Sequence, residues 1–102
     1  MFIGKVTGSV VSTQKIASVT GKKLLLVEAM NVKGSPGELT PTGRVAVTID
    51  TLGAGEGELV LVTQGSSARL TDETKSVPTD AVVVGIIDAI QVGSHELYKK
   101  DR

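Results

Sequence analysis

Hydrophobic and polar residues alternate along much of this chain, a pattern that favours β-strands over helices. The clearest case is residues 44–50, where Val45, Val47 and Ile49 share one side of the predicted strand and smaller or polar residues share the other. Turn signals rich in glycine and proline separate such segments. The pattern predicts five strands, at residues 2–12, 23–32, 44–50, 58–63 and 81–92.

The intervening segments complete a prediction of the fold. Gly34-Ser35-Pro36-Gly37 and Pro41-Thr42-Gly43 predict two turns with a mobile loop between them, and residues 65–69 predict a turn or one short helical turn. The sequence therefore predicts an all-β protein, a small five-stranded OB-like antiparallel barrel, with a two-layer sandwich as the alternative. We expect one barrel domain over residues 1–92, followed at residues 93–102 by a polar tail that forms a frayed helix or an extended arm.

Several predicted strands are apolar on both sides. In the fifth strand Val82 and Val84 alternate with Val83. Because only one face of a strand points into a closed barrel, a loop, the short helix or another subunit must cover the other face. Clustered apolar residues on an outer face are typical of an interface, so we favour an obligate homo-oligomer.

Composition narrows the possible functions. The chain has 102 residues, eleven basic and eleven acidic side chains and two aromatic residues, which argues against binding to nucleic acid. It has no cysteine and one histidine, so we predict no metal site and no cofactor. The chain also lacks the pattern of a secretory signal and any apolar run near the ~20 residues of a membrane helix, so we expect a cytoplasmic protein that does not bind membranes.

Candidate catalytic groups are few. Ser67 could be a nucleophile with His95 as its base, but Arg69 replaces the closing glycine of a nucleophile elbow. Asp50 and Glu58 could form an acid–base pair, although the structural alternative is favoured, in which Asp50 ends one strand and Glu58 begins the next, where it can accept hydrogen bonds from backbone N–H groups. A Gly-x-Gly pattern at Gly53-Ala54-Gly55 precedes a predicted strand, whereas a dinucleotide site needs a helix there. We therefore predict that the protein is not an enzyme.

The same glycine-rich segment carries a family resemblance. Ile49-Asp50-Thr51-Leu52-Gly53-Ala54-Gly55-Glu56-Gly57-Glu58, followed by Val60-Leu61-Val62 and Gly65-Ser66-Ser67-Ala68-Arg69, resembles the signature of the EutN/CcmL family. Gly4-Lys5-Val6 near the start and Pro78-Thr79-Asp80-Ala81 near the end are also similar to that family. These proteins form the pentameric vertices of bacterial microcompartment shells, including those of carboxysomes.

The resemblance implies a barrel protomer that assembles into a homopentamer and closes the vertices of a polyhedral shell otherwise tiled by hexameric proteins. We expect the glycine segment to lie near the five-fold axis or a subunit contact, because glycines let backbones approach closely. Glu58 and Arg69 are candidates for an ion pair. The alternative function is a binding module for a small ligand or single-stranded nucleic acid. The expected interface or axial residues are Gly53, Ala54, Gly55, Gly57, Glu58, Ser66, Ser67 and Arg69.

Overall fold

Five strands close into a barrel and two more form a separate hairpin, in a computed structural model that describes residues 1–12, 16–19, 21–34, 37–71 and 79–100. The barrel consists of β1 (Phe2–Val10), β2 (Lys23–Lys33), β3 (Glu38–Asp50), β4 (Leu59–Gln64) and β5 (Ala81–Ile86). A 3-10 helix (Gly65–Arg69) follows β4, and the hairpin is formed by β6 (Ala89–Val92) and β7 (His95–Lys99). The predicted five-stranded barrel with one helical turn is confirmed, while its OB-like character stays a prediction. In the described ranges no helix has the length and apolar character needed to span a membrane.

The strand order around the barrel is β1-β2-β3-β5-β4, and one neighbouring pair is parallel. β3 and β5 run in the same direction and pair at Ile49–Val82 and Asp50–Val83, whereas the other neighbouring pairs are antiparallel. The predicted antiparallel barrel is confirmed at the four other junctions, and this one junction is parallel. The reason is geometric, because directions cannot alternate all the way around a closed ring with an odd number of strands.

The barrel interior is filled by small and β-branched side chains from the inward-facing positions. Along β2, the inward residues Leu25, Val27 and Ala29 are buried, and they alternate with half-buried residues on the outer face. The inward residues pack together as one cluster, because successive side chains of a strand point to opposite faces and every second residue therefore faces the barrel interior. Its buried members are Val6, Leu25, Val27, Ala54, Val60, Val62, Ala81 and Val83.

β3 begins earlier than predicted, because Pro41-Thr42-Gly43 forms a bulge within the strand and not a turn. The pairing with β2 shifts between Glu28, which pairs with Val45, and Met30, which pairs with Pro41. The β3 residues between these two pairs form the bulge. Side chains replace the lost ladder bonds: the Thr42 hydroxyl donates to the carbonyl of Ala29 (2.7 Å), and the Gly43 N–H donates to Glu28 Oε2 (3.1 Å). The segment predicted as a mobile loop is thus strand from Glu38 onward. Ser35 and Pro36 of the other predicted turn lie outside the described residues.

The predicted fifth strand is divided in two. β5 ends at Ile86, and the chain bends at Ile87 and Asp88 before β6. Ile87 is buried, and its N–H donates to the carbonyl of Leu59 (2.9 Å), so the bend is fixed to the barrel. The chain after residue 92 forms strand β7, which agrees with the extended alternative for the tail and not with a frayed helix.

The outer face of the barrel is covered by the chain itself in one region and left open in another. Ile49, Val82 and Ala68 of the 3-10 helix form a second buried cluster outside the barrel, with Leu24 and Val19 packed against it. Farther along β3, Val45 is 57% exposed and Val47 is 49% exposed. Val47 pairs with the half-buried Leu26 of β2. We call Leu26, Val45 and Val47 the β2–β3 strip.

Gly4 gives a direct test of this packing. A methyl group added at Gly4 would place its carbon 2.1 Å from Cγ1 of Val27, a stiff β-branched side chain that is fully buried. Gly4→Ala should therefore lower the free energy of unfolding by roughly 1–3 kcal/mol, measured as a lower urea midpoint. Gly8→Ala is the matched control, because its added carbon would meet Leu26 Cδ1 at an ordinary 3.7 Å. Equal midpoints for the two variants would contradict the packing of Val27 against β1.

Candidate functional site

The segment between β3 and β4, residues 51–58, contains three glycines and lies against the barrel core. We call it the glycine loop. Ala54 is fully buried and belongs to the same cluster as Val6 and Leu25, so its side chain fills one end of the barrel. The loop is also tied to β1, because the Gly57 N–H donates to the carbonyl of Val6 (2.8 Å). The glycine loop thus closes its own barrel.

Asp50, the last residue of β3, organises the first half of the loop. Its side chain is fully buried; Oδ1 accepts a hydrogen bond from the Leu52 N–H (2.9 Å), and Oδ2 accepts one from the Ala54 N–H (2.8 Å). Lys23 Nζ lies 3.8 Å from Oδ2 and donates to the carbonyl of Ala54 (2.8 Å). A buried carboxylate is costly unless it is hydrogen-bonded and paired, and here it has both kinds of partner. Gly53 has a φ of +85°, which favours glycine and allows the loop to turn back toward the carboxylate.

Glu58 organises the second half of the loop. Its Oε1 accepts a hydrogen bond from the Gly55 N–H (2.6 Å), and its Oε2 forms an ion pair with Lys100. The hydrogen bond from Lys100 and then the one from Gly55 lower the pKa of Glu58, while the bond to Glu58 raises the pKa of Lys100. The Lys100 N–H also donates to the carbonyl of Asp88 (2.8 Å). Glu58 therefore connects the glycine loop to the end of the C-terminal hairpin.

These contacts decide between two interpretations of the carboxylates. Both Asp50 and Glu58 accept backbone N–H bonds next to a strand, which confirms the structural interpretation and leaves the acid–base pair without support. His95 is exposed at the start of β7, and the side chain of Ser67 lies outside the described part of the chain. The residues that the structure describes contain no group of three His, Asp or Glu side chains arranged to hold a metal ion.

The expected interface residues are placed only in part. Gly53 and Gly57 are exposed on the loop and Ser66 is exposed on the 3-10 helix, whereas Ala54 is buried in its own barrel. The side chain of Arg69 lies outside the described residues, so the Glu58–Arg69 ion pair stays a prediction.

Lys100, which pairs with Glu58 within the chain, was missed by the sequence reasoning. The two residues are far apart along the chain, and no spacing pattern connects them. The polar composition of the tail was the sole available signal.

The Glu58–Lys100 pair predicts a pH dependence of stability. Because folding lowers the pKa of Glu58 below its ordinary value of 4.5, its contribution is complete above that value and is lost as the pH falls through the folded-state pKa. Lys100 stays protonated over this range, because its ordinary pKa of 10.5 already lies well above it and the bond to Glu58 raises that pKa further. Glu58→Gln should lower the urea midpoint at pH 7, and the difference from the parent should shrink as the pH is taken below 4.5.

Glu56→Gln is the control for this measurement, because Glu56 is exposed in the same loop and no hydrogen bond or ion pair to it is found among the described residues. The urea midpoint of this variant should follow that of the parent at each pH. A difference between parent and Glu58→Gln that stays constant from neutral to acid pH would contradict the assigned role of Glu58.

Comparisons with known proteins agree with the fold and the loop. The model of the family described as "Ethanolamine utilisation protein EutN/carboxysome" matches residues 1–88. The chain is 48% identical over 100 residues to the carboxysome shell vertex protein CcmL of Synechocystis sp., which covers 98% of this chain and 95% of the relative.

Solved structures give the same result. A structure described as the carboxysome subunit CcmL has a TM-score of 0.88 and 46% identity, over 99% of this chain and 100% of that one. The GrpN pentameric microcompartment shell protein from Rhodospirillum rubrum has a TM-score of 0.75 and 46% identity, over 92% of this chain and 100% of that one. Family match, sequence identity and fold extend over nearly the whole barrel, and the chain belongs to the EutN/CcmL family.

Proposed function

We propose that this protein is a structural component of a bacterial microcompartment shell, where it forms homopentamers that occupy the vertices. The observation that carries the proposal is that the R. rubrum relative, which has the same fold along most of the chain, is a pentameric shell protein. The CcmL relative is likewise a shell vertex protein and not an enzyme.

The exposed apolar residues of the barrel support assembly. In a five-membered ring each protomer uses two different surfaces, because a head-to-tail contact closes only when the rotation returns to its start. The β2–β3 strip is an apolar surface of this kind, left open by the loops and the 3-10 helix that cover the neighbouring cluster. The filled interior of the barrel does not favour the alternative of a ligand-binding module.

Hexameric shell proteins are the expected partners of such a pentamer. Hexagonal units tile a flat sheet, and a closed polyhedron needs five-fold units at its corners. A pentamer of this chain would provide that curvature through its shape, with no chemical step. This agrees with the balance of eleven basic and eleven acidic residues, which provides no net charge to hold a polyanion.

The purified chain should appear as a five-subunit species in native mass spectrometry. When it is co-expressed with the hexameric shell proteins of a microcompartment, we expect closed polyhedral particles in electron micrographs. Omission of this chain should give open sheets, tubes or particles that lack corners. A stable monomer or a ring of another size at micromolar concentration would contradict the pentamer, and closed particles in the absence of the chain would contradict the vertex role.

For the glycine loop we propose a position at a subunit contact or near the five-fold axis. Asp50 and Glu58 accept hydrogen bonds from backbone N–H groups of the loop, and these bonds hold the outer side of the loop in a fixed position. That outer side carries the half-exposed Leu52 and the exposed Gly53 and Gly57. Ser66 in the following helix, together with Ser67 and Arg69, extends the proposed contact. Residues without a side chain suit a place where several backbones approach each other.

Leu52→Glu tests this position without disturbing the buried anchors. If the loop lies at a contact, a charge at this half-exposed apolar side chain should weaken assembly, with a rise of about tenfold in the protein concentration at which half of the chains are in pentamers. Val32→Glu is the control, because Val32 is an apolar residue of similar exposure at the opposite end of β2 from Lys23, which contacts the loop. Native mass spectrometry at several concentrations measures the change. An unchanged pentamer in Leu52→Glu would overturn the proposed position.

A further inference from the structure

The barrel is filled at one end and open at the other. At the filled end, Ala54 of the glycine loop packs against Val6 and Leu25. Phe2, the first residue of β1, and Ala29, farther along β2, lie toward the opposite end. A cavity of about 230 Å³ opens to solvent there, and we call it the barrel mouth. Its lining residues are Phe2, Ala29, Arg44, Val45, Ala46 and Gln64.

The floor of the barrel mouth is apolar. The Phe2 ring packs on the core cluster and lies over Gly4, where a Cβ would be 3.3 Å from Phe2 Cε1. Ala46 pairs with the inward-facing Val27, so its methyl group faces the same side as that of Ala29. Two alanines leave space that larger side chains occupy deeper in the barrel. The mouth is therefore a separate space above the filled interior.

The rim of the barrel mouth carries two polar side chains, Arg44 and Gln64. Both residues are exposed, and neither side chain has a hydrogen bond or an ion pair among the residues that the structure describes. Arg44 is the only charged residue of the lining. The mouth thus combines an apolar floor with one positive charge and one amide that have no partner within the described chain.

The bulge in β3 fixes the position of Arg44. The Arg44 N–H donates to Thr42 Oγ1 (3.1 Å), and the Thr42 hydroxyl donates to the carbonyl of Ala29 (2.7 Å). The Gly43 N–H donates to Glu28 Oε2 (3.1 Å), so this carboxylate binds the backbone of the bulge. Bulges are frequent at the rims of barrels and beside binding sites, where they redirect a side chain. The backbone of Arg44 is therefore held in place at the rim.

We propose that the barrel mouth binds a small organic monocarboxylate, with its apolar body on Phe2, Ala29 and Ala46 and its carboxylate on Arg44. A guanidinium presents paired N–H donors that match the two oxygens of a carboxylate. The cavity has the volume of about eight water molecules, so its occupant is a small molecule. The site belongs to the barrel of one protomer, and it goes beyond the structural role in a shell.

Benzoate is a suitable probe, because its ring matches the apolar floor and its carboxylate matches the guanidinium. Titrated into the purified, isotope-labelled chain, it should shift the backbone amide NMR signals of Phe2, Ala29, Arg44 and Gln64, with a Kd on the order of 1 mM. Benzyl alcohol has the same ring without the charge and should bind at least about tenfold more weakly. Unshifted signals at these residues, or equal affinity for the two probes, would overturn the proposal.

Arg44→Gln tests the charged contact. This variant should weaken benzoate binding at least about tenfold and leave the circular dichroism spectrum unchanged, because Arg44 is an exposed residue. Lys5→Gln is the matched control, since it removes the same charge from an exposed position of β1 outside the lining of the mouth. Its Kd for benzoate should stay within about twofold of the parent value. Equal affinity of Arg44→Gln and the parent would contradict the assigned role of Arg44.

Ala46→Leu tests the cavity itself, because the larger side chain fills the mouth and keeps Arg44 in place. Ala46 is half-buried at the edge of the core. Benzoate should no longer shift the signals of Phe2 and Ala29 in this variant. If Ala46→Leu binds benzoate as tightly as the parent does, the probe binds to a surface arginine only, and the cavity is overturned as the site.

Discussion

A closed ring of five strands cannot alternate direction at every junction, and much of this structure is arranged around that constraint. The one parallel junction, between β3 and β5, is short and pairs at Ile49–Val82 and Asp50–Val83. It is supported on both sides of the sheet. Outside, Ala68 of the 3-10 helix packs on Ile49 and Val82, and inside, Val83 belongs to the barrel core. We call this parallel junction the seam of the barrel. The 3-10 helix and the glycine loop are the two elements that stabilise it.

The glycine loop begins at this seam, and its chemistry follows from its position. Asp50 is buried because it ends β3 at the parallel junction, so its carboxylate must find partners nearby. It finds them in the N–H groups of Leu52 and Ala54 and in Lys23 on the neighbouring strand. Glu58 then closes the loop and ties it to the C-terminal hairpin through Lys100. Carboxylates that could suggest catalysis serve here to hold a shape, in accordance with the family of shell proteins to which the chain belongs.

The division of the outer face connects this shape to assembly. Where the 3-10 helix lies, apolar residues of β3 and β5 are covered within the protomer. Where it does not reach, Val45 and Val47 remain exposed, as does the end of the hairpin at Val92. Single exposed valines need no explanation, but their alignment on regular strands creates surfaces that a neighbouring protomer can cover. A rigid protomer with such surfaces is suited to a ring.

Local pattern was enough to predict most of the barrel and the family, because strand alternation and turn residues act over a few positions. The alternation of Val45, Val47 and Ile49 identified a strand, and the glycine-rich segment identified the loop and its relatives. The same local signals were ambiguous at Pro41-Thr42-Gly43, since a bulge and a turn use the same residues. The bend at Ile87–Asp88 and the Glu58–Lys100 pair were decided by contacts with residues distant in the chain. Strand direction at the seam and the partners of buried charges depend on closure of the whole ring, and only the tertiary structure contains that information.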